Sequence, residues 1–245
     1  MSISTKVNIE DLPSQLIELK NNDDAIYLWQ EDAFGKNSTI EFPSHQTIYH
    51  LRVNHQPLEK KETLKVKLNE RTKYYYFEIQ QSEGLSHLEV QLSGEFSQAH
   101  LIGLIDLKEK QKSEWEWEVK HLVANTTSEQ CVKSIIQDEG TFVFGGKIFI
   151  APHAQKSDAK QLNKNLLLSK KAKCLSRPEL EIFANDVKCG HGLTTSQFRE
   201  DELFYLQSRG IKTETAKNFL AKAFIQDILS KLPPVFASKW KGINW

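Results

Sequence analysis

WEWEVKHLV, residues 115–123, sets large apolar side chains against charged ones: Trp115, Trp117 and Val119 alternate with Glu116 and Glu118. A period of two sends alternate residues to opposite faces of an extended chain, so this stretch reads as a β-strand. The same character runs outward in both directions. Upstream from Thr39 come TIEF (39–42), TIYHLRV (47–53), TLKVKLNE (63–70), KYYYFEIQ (73–80), HLEVQL (87–92) and HLIGLIDL (100–107). Downstream, after an unpatterned stretch, come TFVFGGKIFIAP (141–152), NKNLLLS (163–169) and PELEIFANDV (178–187). About ten short strands with no convincing helix between them predict an all-β body: a sandwich, a barrel or a solenoid. Sandwiches and barrels advertise hairpins through Asn-Gly or Asp-Gly pairs. Neither pair occurs here, which favours a solenoid whose short strands stack turn on turn.

Composition narrows the function. Lys+Arg and Asp+Glu are both 32, so no field of one sign recruits nucleic acid or an anionic membrane. The N-terminus, MSISTKVNIEDLP, lacks the basic and apolar regions of a secretory signal, and no apolar run approaches the ~20 residues that cross a bilayer. Three unevenly spaced cysteines, Cys131, Cys174 and Cys189, make no disulfide framework and read as reduced thiols of a cytoplasmic protein. The first 36 residues are mixed in character, and residues 10–24 have room for a short polar helix.

From Thr194 the pattern changes to helical. TSQFREDELFYLQSRG (195–210) places Glu200, Asp201 and Glu202 near a helix N-terminus and Gly210 past its last turn. KTETAKNFLAKAFIQDILSKLPP (212–234) reads as a second helix, capped by Thr213 and stopped by Pro233 and Pro234. Ala216, Phe219, Leu220, Ala223, Phe224 and Ile228 form one stripe at helical spacing, which either packs on the β-body or docks another protein. The tail beyond carries two tryptophans, tucked in or part of an interface.

The chemistry-bearing stretch is FANDVKCGHG, residues 183–192. On a strand, Cys189 and His191 point to the same side about 7 Å apart, and thiolate with imidazole suits zinc or iron–sulfur ligation. Gly190 and Gly192 permit a tight turn or close approach of another chain. Two ligands do not complete a tetrahedral site, and a ligand set shared with a second polypeptide would remove the shortfall. The plainer alternative is a packed Cys189 and a hydrogen-bonded surface His191. Gly145 and Gly146 predict a strand kink or bulge rather than a phosphate loop. His45, His50 and His55 read as surface histidines, and His121 and His153 sit at strand ends. Neither a nucleophile elbow nor His-Glu-x-x-His occurs, and nothing reads as a self-sufficient active site; the expectation is a protein that is not an enzyme.

Three stretches, GKIFIAPHAQKSDAKQLNKNLLLS (146–169), RPELEIFANDVKCGHG (177–192) and DELFYLQSRGI (201–211), together resemble the C-terminal signature of the SufB/SufD family of iron–sulfur cluster assembly proteins, nearest its SufD branch. The resemblance is specific over the last two-fifths of the chain and rests on pattern alone over residues 39–145. It implies a mainly β fold: a right-handed parallel β-helix, a single-stranded solenoid, followed by a small C-terminal α-helical domain. The chain then divides into a short N-terminal segment (1–36), a β-helix domain (37–192) and a helical domain (193–245). It also implies a scaffold within a SufBCD complex. The C-terminal helices would dock a SufC-like ATPase and the β-helix would pair with a SufB-like subunit, or with a second copy of this chain in isolation. A transient iron–sulfur cluster, shared with the partner and not tightly held, would use His191, with Cys189 beside it. There are departures from the family pattern. The chain is short, so the family's N-terminal helical region is expected to be missing or reduced. EWEWEVKHLVANTTSEQCVKSI, with only His121, replaces a histidine-rich strand, and Gly190 replaces a common serine. The rival readings are a structural solenoid with no metal role and a polysaccharide-acting β-helix enzyme. The latter needs clustered carboxylates, and none are seen.

Overall fold

The computed structural model describes residues 8–10, 17–19, 25–31, 37–57 and 62–237. Its strands are β1 (Asn8–Glu10), β2 (Ile17–Leu19), β3 (Ile26–Glu31), β4 (Ser38–Phe42), β5 (Thr47–Asn54), β6 (Glu62–Leu68), β7 (Lys73–Gln80), β8 (Gly84–Leu92), β9 (Gln98–Leu107), β10 (Lys112–His121), β11 (Thr127–Ile136), β12 (Thr141–Ile150), β13 (Asp158–Leu167), β14 (Lys173–Ile182) and β15 (Lys188–Ser196). They form two sheets, ordered β1-β4-β6-β8-β10-β12-β14 and β15-β13-β11-β9-β7-β5-β3-β2. From β3 onward successive strands alternate between the sheets, and the ladders are parallel except for β1 with β4 and β2 with β3. The chain is thus a parallel β-solenoid of about five turns with a small helical part at its C-terminal end.

Stacking in register explains the period-two signal. Ile40, Val66, Val90, Val119 and Ile148 follow one another in one column of the first sheet, all buried between the sheets. Trp115 and Trp117 point into the same interior, their rings stacked at 5.3 Å. Gly103 on β9 makes room for them: a Cβ there would lie 2.6 Å from the Trp115 ring and 2.8 Å from that of Trp117. The corners account for the missing hairpin signals. His45, Arg71, Phe96, Asn125 and Lys156 each hold positive φ at the same corner of successive turns. Backbone bonds across turns, such as Arg71 N–H to Glu95 O at 2.9 Å and Asn125 N–H to Gln155 O at 2.9 Å, hold that geometry. Each corner therefore needs one left-handed residue supported by its neighbours, not an Asn-Gly turn.

Several expectations change. Gly145 and Gly146 cause no bulge; the β10–β12–β14 ladder runs through them unbroken. His50 is not at the surface but fully buried, its Nδ1 2.8 Å from the Tyr74 hydroxyl. Within residues 10–24, which have room for a short helix, residues 17–19 are a strand and the remainder other than Glu10 lies outside the described residues. The two tail tryptophans also lie outside the described residues.

The helices are α1 (Glu200–Ser208), α2 (Thr213–Leu229) and the short α3 (Pro234–Ala237). Gly210, at φ +81°, closes α1: its N–H donates to Gln207 O, and that of Ile211 to Leu206 O. Thr213 does not cap α2; its hydroxyl accepts from Gln207 Nε2 at 2.9 Å and ties the two helices together. The buried residues of α2 are Ala216, Ala221, Ile225 and Ile228, so the packing stripe is rotated from the one read off the sequence, and Phe219 is exposed. Ala221, Ile225, Ile228 and Phe236 cover the outer face of the eight-stranded sheet over Leu51, Phe77, Ile102 and Cys131. Each large aliphatic or aromatic side chain so buried contributes about 1.5–3 kcal/mol.

Candidate functional site

The solenoid ends at β14 and β15, each the last strand of its sheet, so each carries one edge without a ladder partner among the described residues. Parallel, in-register neighbours point the same way, so Cys189, stacked on Ala159, and His191, stacked on Gln161, both face the inner side. Among the described residues no further turn covers them. His191 is therefore exposed although its column is buried one turn earlier. Gly190 and Gly192 keep extended, negative-φ backbone, and a Cβ at Gly190 would meet nothing within 4 Å. Leu175, Ile182, Phe183 and Leu193 are exposed on the same rim. Free strand edges beside apolar side chains form a surface suited to pairing with another chain.

Cys189 is half-buried and packs against the small cluster of Ile148, Ile150, Ala159 and Leu180. Burial, and then the Asp158 carboxylate, pushes its thiol pKa up, so it is not an activated thiolate. The other thiols lie elsewhere. Cys174 sits beside Ser176 at 3.7 Å, at the margin of the main core, and Cys131 is buried beneath α2. Among the described residues no three His, Cys, Asp or Glu side chains come together as a metal site. Whatever Cys189 and His191 bind must find its remaining ligands outside them.

A second surface lies on the helices. Phe204, Tyr205 and Phe219 are 72%, 58% and 62% exposed. Tyr205 and Phe219 line a shallow groove of about 350 Å³ between α1 and α2, with Asp201, Glu202, Leu206 and Leu220. The stripe read from the sequence included Phe219 but assigned it no separate face; its position next to α1 depends on how the helices pack. Lys133 was also missed, although a lone lysine in the apolar run CVKSII marks it. It is nearly buried and donates to Asp227 Oδ1 at 2.6 Å and to the Phe224 carbonyl, anchoring α2 on the sheet.

No helix among the described residues is long and apolar enough to cross a membrane. A family model described as "SUF system FeS cluster assembly, SufBD core domain" matches residues 33–224. The iron-sulfur cluster assembly protein SufD of Escherichia coli (strain K12) is 36% identical over 142 residues, 58% of this chain and 34% of that one. An iron-sulfur cluster assembly SufBD family protein of Synechocystis is 45% identical over 104 residues, 42% of this chain and 23% of that one. SufD of Plasmodium berghei is 31% identical over 163 residues, 65% of this chain and 12% of that one. The chain thus matches about a third or less of the length of these relatives. The family match takes in the solenoid from β4 to β15, together with α1 and most of α2, and by it the chain belongs to the SufB/SufD family of iron–sulfur cluster assembly proteins.

Proposed function

We propose that the chain is a SufD-like scaffold subunit, not an enzyme, working in the cytoplasm within a SufBCD-type complex. The open end of the solenoid joins a SufB-like subunit, the α1–α2 face docks a SufC-type ATPase, and His191 donates its imidazole to a nascent iron–sulfur cluster held between the two scaffolds. The cluster is cargo and leaves for a recipient protein. Cys189 is the second ligand candidate.

The observation that carries this reading is the exposure of His191 on the inward side of the terminal strand, beside two strand edges unpaired among the described residues and four exposed apolar side chains. A ligand set that is incomplete in one chain is what a site divided between two chains requires. ATP-driven movement of the ATPase would shift the scaffolds against one another and open that site. The deciding experiment is co-expression with SufB- and SufC-like proteins, then anaerobic reconstitution with iron and sulfide. The complex should co-purify and develop cluster absorbance that His191→Ala lowers. A complex that assembles and loads fully with His191→Ala removes the ligand role of His191.

A further inference from the structure

Toward the open end, the inner face of the eight-stranded sheet turns from apolar to polar. One column runs Leu101, Gln130, Gln161, His191; another runs Ile105, Ser134, Asn165, Thr195. In the second the polar groups satisfy one another. Ser134 donates to Asn165 Oδ1 at 2.7 Å, Asn165 Nδ2 to Asn163 Oδ1 at 2.7 Å, and Ser176 to Asn163 Oδ1 at 2.6 Å.

The first column is different. Trp117 Nε1, Gln130 Oε1 and both amide atoms of Gln161 are buried without a hydrogen-bond partner among the described residues, while Gln130 Nε2 donates to the Lys147 carbonyl at 3.2 Å. The three residues are 1%, 0% and 3% exposed. Native interiors rarely leave such groups unpaired, and here four fall on residues of neighbouring turns. Gln161 follows Gln130 in the ladder, and Trp117 pairs in register with Gly146. A Cβ at Gly146 would lie 1.5 Å from Gln161 Nε2, so the missing side chain is what admits the carboxamide to this part of the lumen. The unpaired set holds two kinds of donor, an indole N–H and an amide NH₂, and two carbonyl acceptors. Indole N–H repels a cation and the carbonyls repel an anion. Water, which donates and accepts, matches both.

We infer that Trp117, Gln130 and Gln161 form an internal water-binding site in the lumen, in the two turns below His191, with Gly146 admitting the Gln161 carboxamide to it. The site concerns the hydration of this chain alone and is independent of what His191 binds.

Two measurements on the full chain test it. In ¹⁵N-labelled protein, the Trp117 indole N–H, assigned with Trp117→Phe, should show a nuclear Overhauser cross-peak to water with the sign of a long-resident molecule. Gln161→Met keeps the length of the side chain but removes both amide atoms. It should lower Tm by about 3 °C or more, because the water loses its partners. A missing water cross-peak overturns the site, since the amides then pair directly or the lumen is dry. So does a rise in Tm with Gln161→Met, because that is the response of an unhydrated, unpaired amide.

Discussion

Lys133 Nζ, on the outer face of β11, lies 2.6 Å from Asp227 Oδ1 on α2. The lysine is 5% exposed and its partner 60%, and the ammonium also sits 4.7 Å from the centroid of the Phe224 ring. Burial raises the Asp227 pKa, but the hydrogen bond and charge of Lys133 outweigh it and leave the carboxyl below its ordinary value. Asp227→Ala leaves a nearly buried ammonium with the Phe224 carbonyl and ring but without its counter-ion. It should lower stability by about 1–2 kcal/mol in urea unfolding, with Asp227→Asn costing less. Equal stability of Asp227→Ala and the parent chain would mean that solvent satisfies Lys133.

The exposed face of the helices can be tested without removing them. Deletion is a poor probe, because it uncovers the apolar outer face over Leu51, Phe77 and Ile102. Phe219 is 62% exposed. Phe219→Asp should therefore leave Tm within about 1 °C, as surface substitutions do. It should weaken binding of a SufC-like ATPase by about tenfold or more, as loss of an interfacial aromatic does. Unchanged binding in a titration would move the docking surface off α1 and α2.

His191 and Cys189 should not respond alike. The imidazole is exposed, while the thiol is half-buried and its pKa is raised by burial. Cluster yield on the complex should therefore fall further with His191→Ala than with Cys189→Ser. The reverse order in absorbance at equal protein concentration would make the thiol the principal ligand.

Tolerance of a methyl group should differ sharply between glycines. Gly103→Ala places a Cβ 2.6 Å from the Trp115 ring and 2.8 Å from the Trp117 ring, neither of which can yield easily. A loss of about 1–3 kcal/mol is expected from overpacking. Gly190→Ala points into open space and should change Tm little. Thermal melts of the two variants check both statements.

Two buried histidines set the acid limit. Burial first, and the nearby Arg52 second, hold the His50 pKa down at about 3. Burial holds that of His121 at about 4, with Asp158 acting in the opposite direction. Both are neutral when folded at pH 5, whereas unfolded imidazoles begin to bind protons below an ordinary value of 6.5. The unfolded state then carries more protons, so stability is complete above pH 6.5 and declines as pH falls toward 4 and 3. Between pH 7 and 5 each histidine should remove about 2 kcal/mol, read from urea midpoints at the two values. A flat profile over that range would mean that the rings take up protons in the folded chain as readily as in the unfolded one.

Alternation found most of the strands, because a wall between a packed lumen and an outer surface imposes a period of two. It did not find β11, which α2 covers on the outside so that both of its faces are buried, nor β3. Trp115, Trp117 and Val119 follow it without exception. The corners left no comparable trace: positive φ at Arg71 or Lys156 is held by bonds to the next turn, and local sequence does not record those. His50 was misread for the same reason. A polar residue on an inward position is buried only because Tyr74 and its neighbours close around it.

The candidate site divides in the same way. Spacing alone put Cys189 and His191 on one side of a strand, because i and i+2 share a face whatever the strand is paired with. Composition alone fixed the neutral charge balance. Only the tertiary structure decided that this side is the lumen, that β15 is its last strand, and that Cys131 and Cys174 lie in other clusters. Exposure of His191 depends on whether another turn stacks above it, a non-local property that residues 183–192 do not encode.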